Sequence, residues 1–318
     1  MIKEKVTIIL GAGASYPYGF PLGGELKDMI LDQILSHHPI HEKDQLGPFL
    51  KQFGYPDDIQ KEFAVQLKES MQPSVDAFLF ERSEFVDIGK LSIAANLICF
   101  EKKYNLLSKS DGGESNKNKW YTYLLNLMGN RSEFKSNNLS IITFNYDRSL
   151  EYFLYYALRA RFNLSEQEVT DYVKSIPIIH VYGQLGEALF LNSNGRDYSN
   201  LLDYGNLKKS AESISLIYEK NNVEVNSENL KTAHNTIEET DLLIFLGFGY
   251  LEENIKRLKL EQYYKRLQIV GTFYGMKAGE ISRVKYLFEQ YSVLQTSQGI
   301  KVYELDVLEF LRQTNYLR

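Results

Sequence analysis

The chain has a single cysteine, Cys99, among its 318 residues. One thiol can form neither an intrachain disulfide nor a four-thiolate zinc site, so neither stabilises this fold. Cys99 lies in the apolar run Ile98-Cys99-Phe100 and reads as a small buried side chain. Positive charge is not in excess. The formal net charge is -5 and the sequence pI about 5.7, which excludes a global field attracting nucleic acid or an anionic membrane surface, though not a local basic patch. No apolar run is long enough to span a bilayer. The opening Lys3-Glu4-Lys5, followed by a short apolar strand, lacks the pattern of a secretory signal, so the cytoplasm is the expected compartment. Internal repeats are also missing.

What is present reads as a folded α/β protein. Hydrophobic residues at 44% and charged residues at 24% are ordinary globular proportions. The length suits one large domain with an insertion, or two modest domains sharing a cleft. Val6-Thr7-Ile8-Ile9-Leu10 is a continuous apolar, β-branched run stopped by Gly11, as expected for a strand covered on both faces. Similar runs recur at Leu139 to Phe144, Ile176 to Val181, Leu242 to Leu246, Leu267 to Gly271 and Ile300 to Leu305, several with helical patterns between them. That alternation predicts a Rossmann-like, doubly wound, mainly parallel sheet. Between residues 25 and 135 the apolar spacing turns helical, as in Phe63, Leu67 and Met71, then Leu91, Ala95 and Ile98. This predicts a helical insertion within a single domain spanning 1–318. Ser108 to Lys119 and Gly195 to Lys209 read as exposed loops. The segment after Asp306 reads as an amphipathic helix burying Val307, Leu308 and Leu311.

Four motifs stand at the ends of predicted strands. Gly11-Ala12-Gly13-Ala14-Ser15 follows the first; such a turn lets backbone N–H groups approach a pyrophosphate, or simply ends a strand. Tyr16 occupies the place of the third glycine of the usual dinucleotide fingerprint, which argues against an ordinary nicotinamide-dependent dehydrogenase. Thr143-Phe144-Asn145-Tyr146-Asp147 places an amide and a carboxylate where ligands of open α/β sheets collect, and also suits a helix cap. Ile178-Ile179-His180-Val181-Tyr182-Gly183 ends a strand in a histidine and a tyrosine; strand alternation would put both on one side, and a lone histidine there is also an ordinary core residue. Leu243 to Tyr250 contains the glycines Gly247 and Gly249 around Phe248. Val270-Gly271-Thr272 reads as structural, with a further nucleotide-contacting strand end as the alternative.

Together with Gly19-Phe20-Pro21 at matching distance from the first turn, these motifs resemble those of the sirtuin-like domain family, from about Thr7 to Tyr250. The set of residues retained resembles that of the zinc-less branch of bacterial antiphage-defence NAD hydrolases. Ser74-Val75-Asp76-Ala77-Phe78-Leu79, followed by Gly89-Lys90, resembles a segment of those relatives and reads here as a capped amphipathic helix. Protein-deacylating sirtuins have a four-cysteine zinc module that this chain cannot build. They also continue Gly-Ile-Pro with Asp-Phe-Arg, where this chain has Leu22-Gly23-Gly24. Phe248 replaces a family threonine.

The resemblance implies NAD as substrate, no metal, and cleavage of the nicotinamide–ribose bond to nicotinamide and ADP-ribose, as the toxic effector of an abortive-infection system. It implies catalytic roles for Asn145, His180 and Asp147, with Tyr182 the alternative to His180; the imidazole is preferred because it accepts a proton near neutral pH. Nucleotide contacts are implied for Gly11, Ala12, Gly13, Ser15, Phe20, Pro21, Thr143, Tyr182, Gly183, Gly247, Phe248 and Gly249. A homo-oligomer, or a sensor partner such as a DNA-translocating ATPase or an Argonaute-like protein, would supply control, with no membrane or direct nucleic-acid partner expected. The competing reading is a non-catalytic NAD or ADP-ribose sensor.

Overall fold

The apolar pentapeptide Val6–Leu10 forms strand β1, and all five residues are buried because helices cover both faces of the sheet. In the computed structural model, residues 1–36, 46–108, 119–216, 223–263, 267–291 and 300–317 are described. The other strands are β2 (Leu139–Thr143), β3 (Ile178–His180), β4 (Leu242–Leu246), β5 (Gln268–Thr272) and β6 (Lys301–Tyr303). They form one parallel sheet in the order β3-β2-β1-β4-β5-β6. The chain winds outward from β1 to β3, returns to β4 and winds outward the other way. With right-handed crossovers this puts helices on both faces, a doubly wound Rossmann-like fold.

Between β1 and β2 lie α1 (Ala12–Ser15), α2 (Gly23–Leu35), α3 (Leu46–Gln52), α4 (Asp57–Glu69), α5 (Val75–Glu81), α6 (Val86–Ile98), α7 (Lys103–Leu107) and α8 (Tyr121–Leu127). Helices α9 (Ser149–Phe162) and α10 (Glu166–Lys174) join β2 to β3, and α11 (Tyr204–Ser213) and α12 (Val223–Glu238) join β3 to β4. Helices α13 (Glu252–Arg257), α14 (Ala278–Tyr291) and α15 (Val307–Gln313) complete the chain. Every residue of α6 from Ile88 to Ile98 is buried, as in a helix surrounded by others; α2, α3, α5 and α11 pack on it. Among the described residues, no helix is long and apolar enough to cross a membrane.

Local chemistry trims several expectations. β3 is only three residues long: Pro177 before it has no N–H to pair, and Gly183 turns the chain at φ 68° soon after it. Phe63 and Leu67 are buried on α4, but Met71 lies beyond its end, at φ 53°, and is 83% exposed. Gly195 to Lys209 is not a plain exposed loop, since Arg196 and Tyr198 are buried and α11 begins at Tyr204. Cys99 is half-buried, its thiol donating to the Ala95 carbonyl. Helix α15 buries Val307, Leu308 and Leu311 as expected, and Phe310 as well. Most of the Ser108 to Lys119 segment lies outside the described residues.

Candidate active site

Parallel register brings the motifs to one edge. Leu10 pairs with Thr143 and with Leu246, and Thr143 pairs with His180, so Gly11, Phe144, Gly247 and Val181 all leave the sheet at the same level. This is the carboxyl edge, and the winding reverses between β1 and β4, where open α/β sheets bind ligands.

Asn145 ties two of these exits together. Its backbone N–H donates to Thr143 Oγ1 at 3.1 Å, which folds the chain just past β2. Its side-chain Nδ2 donates to the Gly11 carbonyl at 2.9 Å and to Ser15 Oγ at 3.1 Å. A carbonyl can only accept, which fixes the amide's orientation and leaves Oδ1 without a hydrogen bond among the described residues. The Ser15 hydroxyl in turn favours the charged form of Asp147, so amide, hydroxyl and carboxylate stand in series. Asp147 Oδ1 also accepts the Ser149 N–H at 3.0 Å and the Ser149 hydroxyl, which in turn accepts from Tyr121 Oη at 2.6 Å. Burial pushes the Asp147 carboxyl up; its bonds to Ser149 and Ser15 oppose that, and the nearby Glu151 charge adds to it.

A cavity of about 100 Å³ opens beside this chain. Of the expected site residues, Ala12, Ser15, Phe20, Pro21, Asn145 and Asp147 line it. So do Tyr146 and Asp76, which sequence reasoning left out. Ser74 caps α5 as predicted, its Oγ accepting from the Ala77 N–H at 3.2 Å. Asp76, two residues later, does something else: its Oδ1 accepts the Tyr146 hydroxyl at the cavity wall. Desolvation by burial raises the Asp76 pKa, partly offset by that bond.

His180 stands elsewhere than expected. Its Nδ1 lies 2.9 Å from the Asn145 backbone carbonyl oxygen and its Nε2 2.5 Å from Glu151 Oε1. Burial opposes its protonation, but the Glu151 charge and hydrogen bond, with the Asn145 carbonyl and Asp147, outweigh that and raise its pKa. Both ring nitrogens are engaged and His180 does not line this cavity, so its expected placement in the pocket is corrected: it braces the Asn145 turn. Glu151, in the first turn of α9, is the partner that sequence reasoning missed. His180 and Gly183 line a different, open cleft of about 620 Å³.

Tyr182 is also corrected. It does not share a side with His180, because β3 stops at His180 and the following turn resets the alternation. Its hydroxyl donates to Asn254 Oδ1 on α13 at 2.6 Å and its ring meets Phe144 edge-on. Gly183 packs against the Ser213 backbone, where a Cβ would lie 2.1 Å from the carbonyl oxygen. The glycines of the first and fourth motifs serve each other rather than open space. Gly11 N–H donates to the Leu246 carbonyl at 3.2 Å and Gly13 N–H to the Gly247 carbonyl at 2.9 Å, so neither amide is free for a phosphate. Thr272 Oγ1 holds the Gly247 N–H at 3.0 Å, and Phe248 stands edge-on to Phe144. Gly249 is exposed, and a Cβ added there would meet nothing within 4 Å.

Behind the site lies a buried ion network that no motif announced. The Glu101 carboxylate accepts Arg148 Nε at 2.9 Å and Nη2 at 2.7 and 2.8 Å, and also Arg196 Nη2. Arg148 gives its remaining donors to the carbonyls of Arg196 at 2.7 Å, Asp197 at 3.0 Å and Glu187 at 3.3 Å. The residue following Asp147 is thereby anchored to the helical insertion and to the loop after β3. Among the described residues, no three His, Cys, Asp or Glu side chains cluster as metal ligands. No protein-family model matches the chain, and no curated protein matches it.

Proposed function

We propose that this chain is a sirtuin-like NAD hydrolase that cleaves the nicotinamide–ribose bond, giving nicotinamide and ADP-ribose. The observation that carries the reading is the bond of Asn145 Nδ2 to both Gly11 and Ser15, which sets an amide and two carboxyl groups, Asp147 and Asp76, around one cavity at the carboxyl edge. A volume of about 100 Å³ suits a single aromatic ring such as nicotinamide, well below the few hundred Å³ of a site for a whole drug-sized ligand. Cleavage of this bond builds positive charge on the ribose while a neutral pyridine departs. No general acid is needed, and positioning with charge stabilisation suffices. Asn145, through its unbonded Oδ1, orients water or ribose hydroxyls; Asp147 stabilises the developing charge; Ala12, Ser15, Phe20 and Pro21 border the bound end.

The diphosphate would lie over the Gly11–Ser15 turn. Because the Gly11 and Gly13 amides are bonded to Leu246 and Gly247, that requires the β4 exit to move, which accords with an enzyme held at low activity until a partner or self-assembly triggers it. A homo-oligomer, a DNA-translocating ATPase or an Argonaute-like sensor would fill that role in a cytoplasmic abortive-infection system. The same occupied amides, with the doubly bonded His180, favour the second reading, a sensor that binds NAD or ADP-ribose without cleaving it.

Chromatography of NAD after long incubation at high protein concentration, with calorimetric binding in the same preparation, separates the two. Nicotinamide release that Asn145→Ala lowers at least ~10²-fold supports the hydrolase. Binding without release makes the chain a sensor, and neither binding nor release overturns both readings.

A further inference from the structure

We infer that Asp76, supplied by the helical insertion rather than by the sheet, is the proton acceptor of this site; the inference rests on the hydrolase reading. Two carboxyl groups line the cavity, and they are used differently. Asp147 is committed to fixed donors, the Ser149 amide and the Ser149 hydroxyl, with the Ser15 hydroxyl also favouring its charged form. Asp76 accepts the Tyr146 hydroxyl and is otherwise held only by its own backbone N–H among the described residues. A carboxylate has roughly four acceptor sites, so Asp76 retains room for a water molecule that Asp147 has largely spent.

The histidine expected to take this proton has both nitrogens engaged, by Asn145 and Glu151. Asp76 thus replaces it by position. Its surroundings favour that role, because burial makes the carboxylate more basic than an ordinary aspartate, and a base works best as its pKa approaches the working pH. Tyr146 and the Asp76 backbone N–H oppose this shift, and Asp147 lines the same cavity.

The step balances simply. The water oxygen bonds to C1′ of the ribose as the bond from C1′ to the nicotinamide nitrogen breaks. The electron pair stays on nitrogen as neutral nicotinamide, and the water proton passes to the Asp76 carboxylate and then to solvent.

The test uses the full chain with NAD as probe, comparing wild type, Asp76→Asn and Tyr146→Phe for basal turnover, NAD affinity and the pH dependence of kcat. Asp76→Asn is expected to lower kcat at least ~10²-fold while NAD still binds. Removing the Tyr146 hydroxyl removes a bond that holds the Asp76 pKa down, so the acid limb of kcat moves to higher pH in Tyr146→Phe. Undiminished turnover in Asp76→Asn, or an acid limb that Tyr146→Phe leaves in place, overturns the assignment while the hydrolase reading stands. Wild-type protein that never releases nicotinamide overturns both. If Asp76→Asn does not fold, the Tyr146→Phe profile decides alone.

Discussion

The Nδ1 of His180 lies 2.9 Å from the backbone carbonyl oxygen of Asn145, and since that oxygen can only accept, the imidazole donates. The ring therefore holds the main chain of the turn whose side chain reaches Gly11 and Ser15, and Glu151 holds the ring from behind. A histidine that sequence reasoning treats as a base acts here through another residue.

This pairing makes stability depend on pH with a definite sign. The folded pKa of His180 is raised above its ordinary 6.5, so the stability from its charged form is fully present below about pH 6.5 and is lost as pH rises through the folded value. His180→Ala leaves Glu151 buried without its partner and is expected to lose about 3–5 kcal/mol near pH 6. Urea unfolding at several pH values should show the gap between wild type and variant narrowing as pH increases. A gap that widens would mean the neutral imidazole is the stabilising form.

Asn145→Ala removes the two side-chain bonds by which Asn145 joins the β2 exit to the β1 exit. Each such bond is worth about 0.5–1.5 kcal/mol, so thermal unfolding should show a modest loss, whereas NAD cleavage should fall at least ~10²-fold. Activity falling only in proportion to the folded fraction would assign the amide a structural role.

Glu101 is the only acceptor side chain shared by the buried guanidiniums of Arg148 and Arg196 among the described residues. Glu101→Ala strands both cations and is expected to cost about 3–5 kcal/mol or to prevent folding. The exposed pair of Arg159 and Glu166, 3.3 Å apart, provides the contrast, since Glu166→Ala should cost no more than about 1 kcal/mol. Equal losses in denaturant titrations would show that the buried network has no special weight.

Gly247 and Gly249 differ by two positions and should differ in tolerance. Gly247 sits at φ 56°, and a Cβ there would lie 2.1 Å from the Ala14 nitrogen; around Gly249 there is open space. Gly247→Ala is expected to cost about 1–3 kcal/mol and Gly249→Ala within about 0.5 kcal/mol of zero. Differential scanning calorimetry of the two variants is the check, and similar melting temperatures would contradict the close packing of the β4 exit on α1.

Apolar runs such as Val6–Leu10 and Leu242–Leu246, and the helical spacing of Leu91, Ala95 and Ile98, determine six strands and the helices between them, because periodicity and burial pattern are local properties of the chain. Motif positions at strand ends also determine which residues reach the carboxyl edge. Direction and partnership are another matter. That Tyr182 turns to Asn254 while His180 turns to Glu151, that Gly13 spends its amide on Gly247, and that Asp76 meets Tyr146 beside Asn145 were decided only by tertiary packing. A turn after three strand residues resets side-chain alternation, and the insertion's docking sets which carboxylate enters the cavity. Both depend on contacts between segments far apart in the chain, which no local pattern encodes.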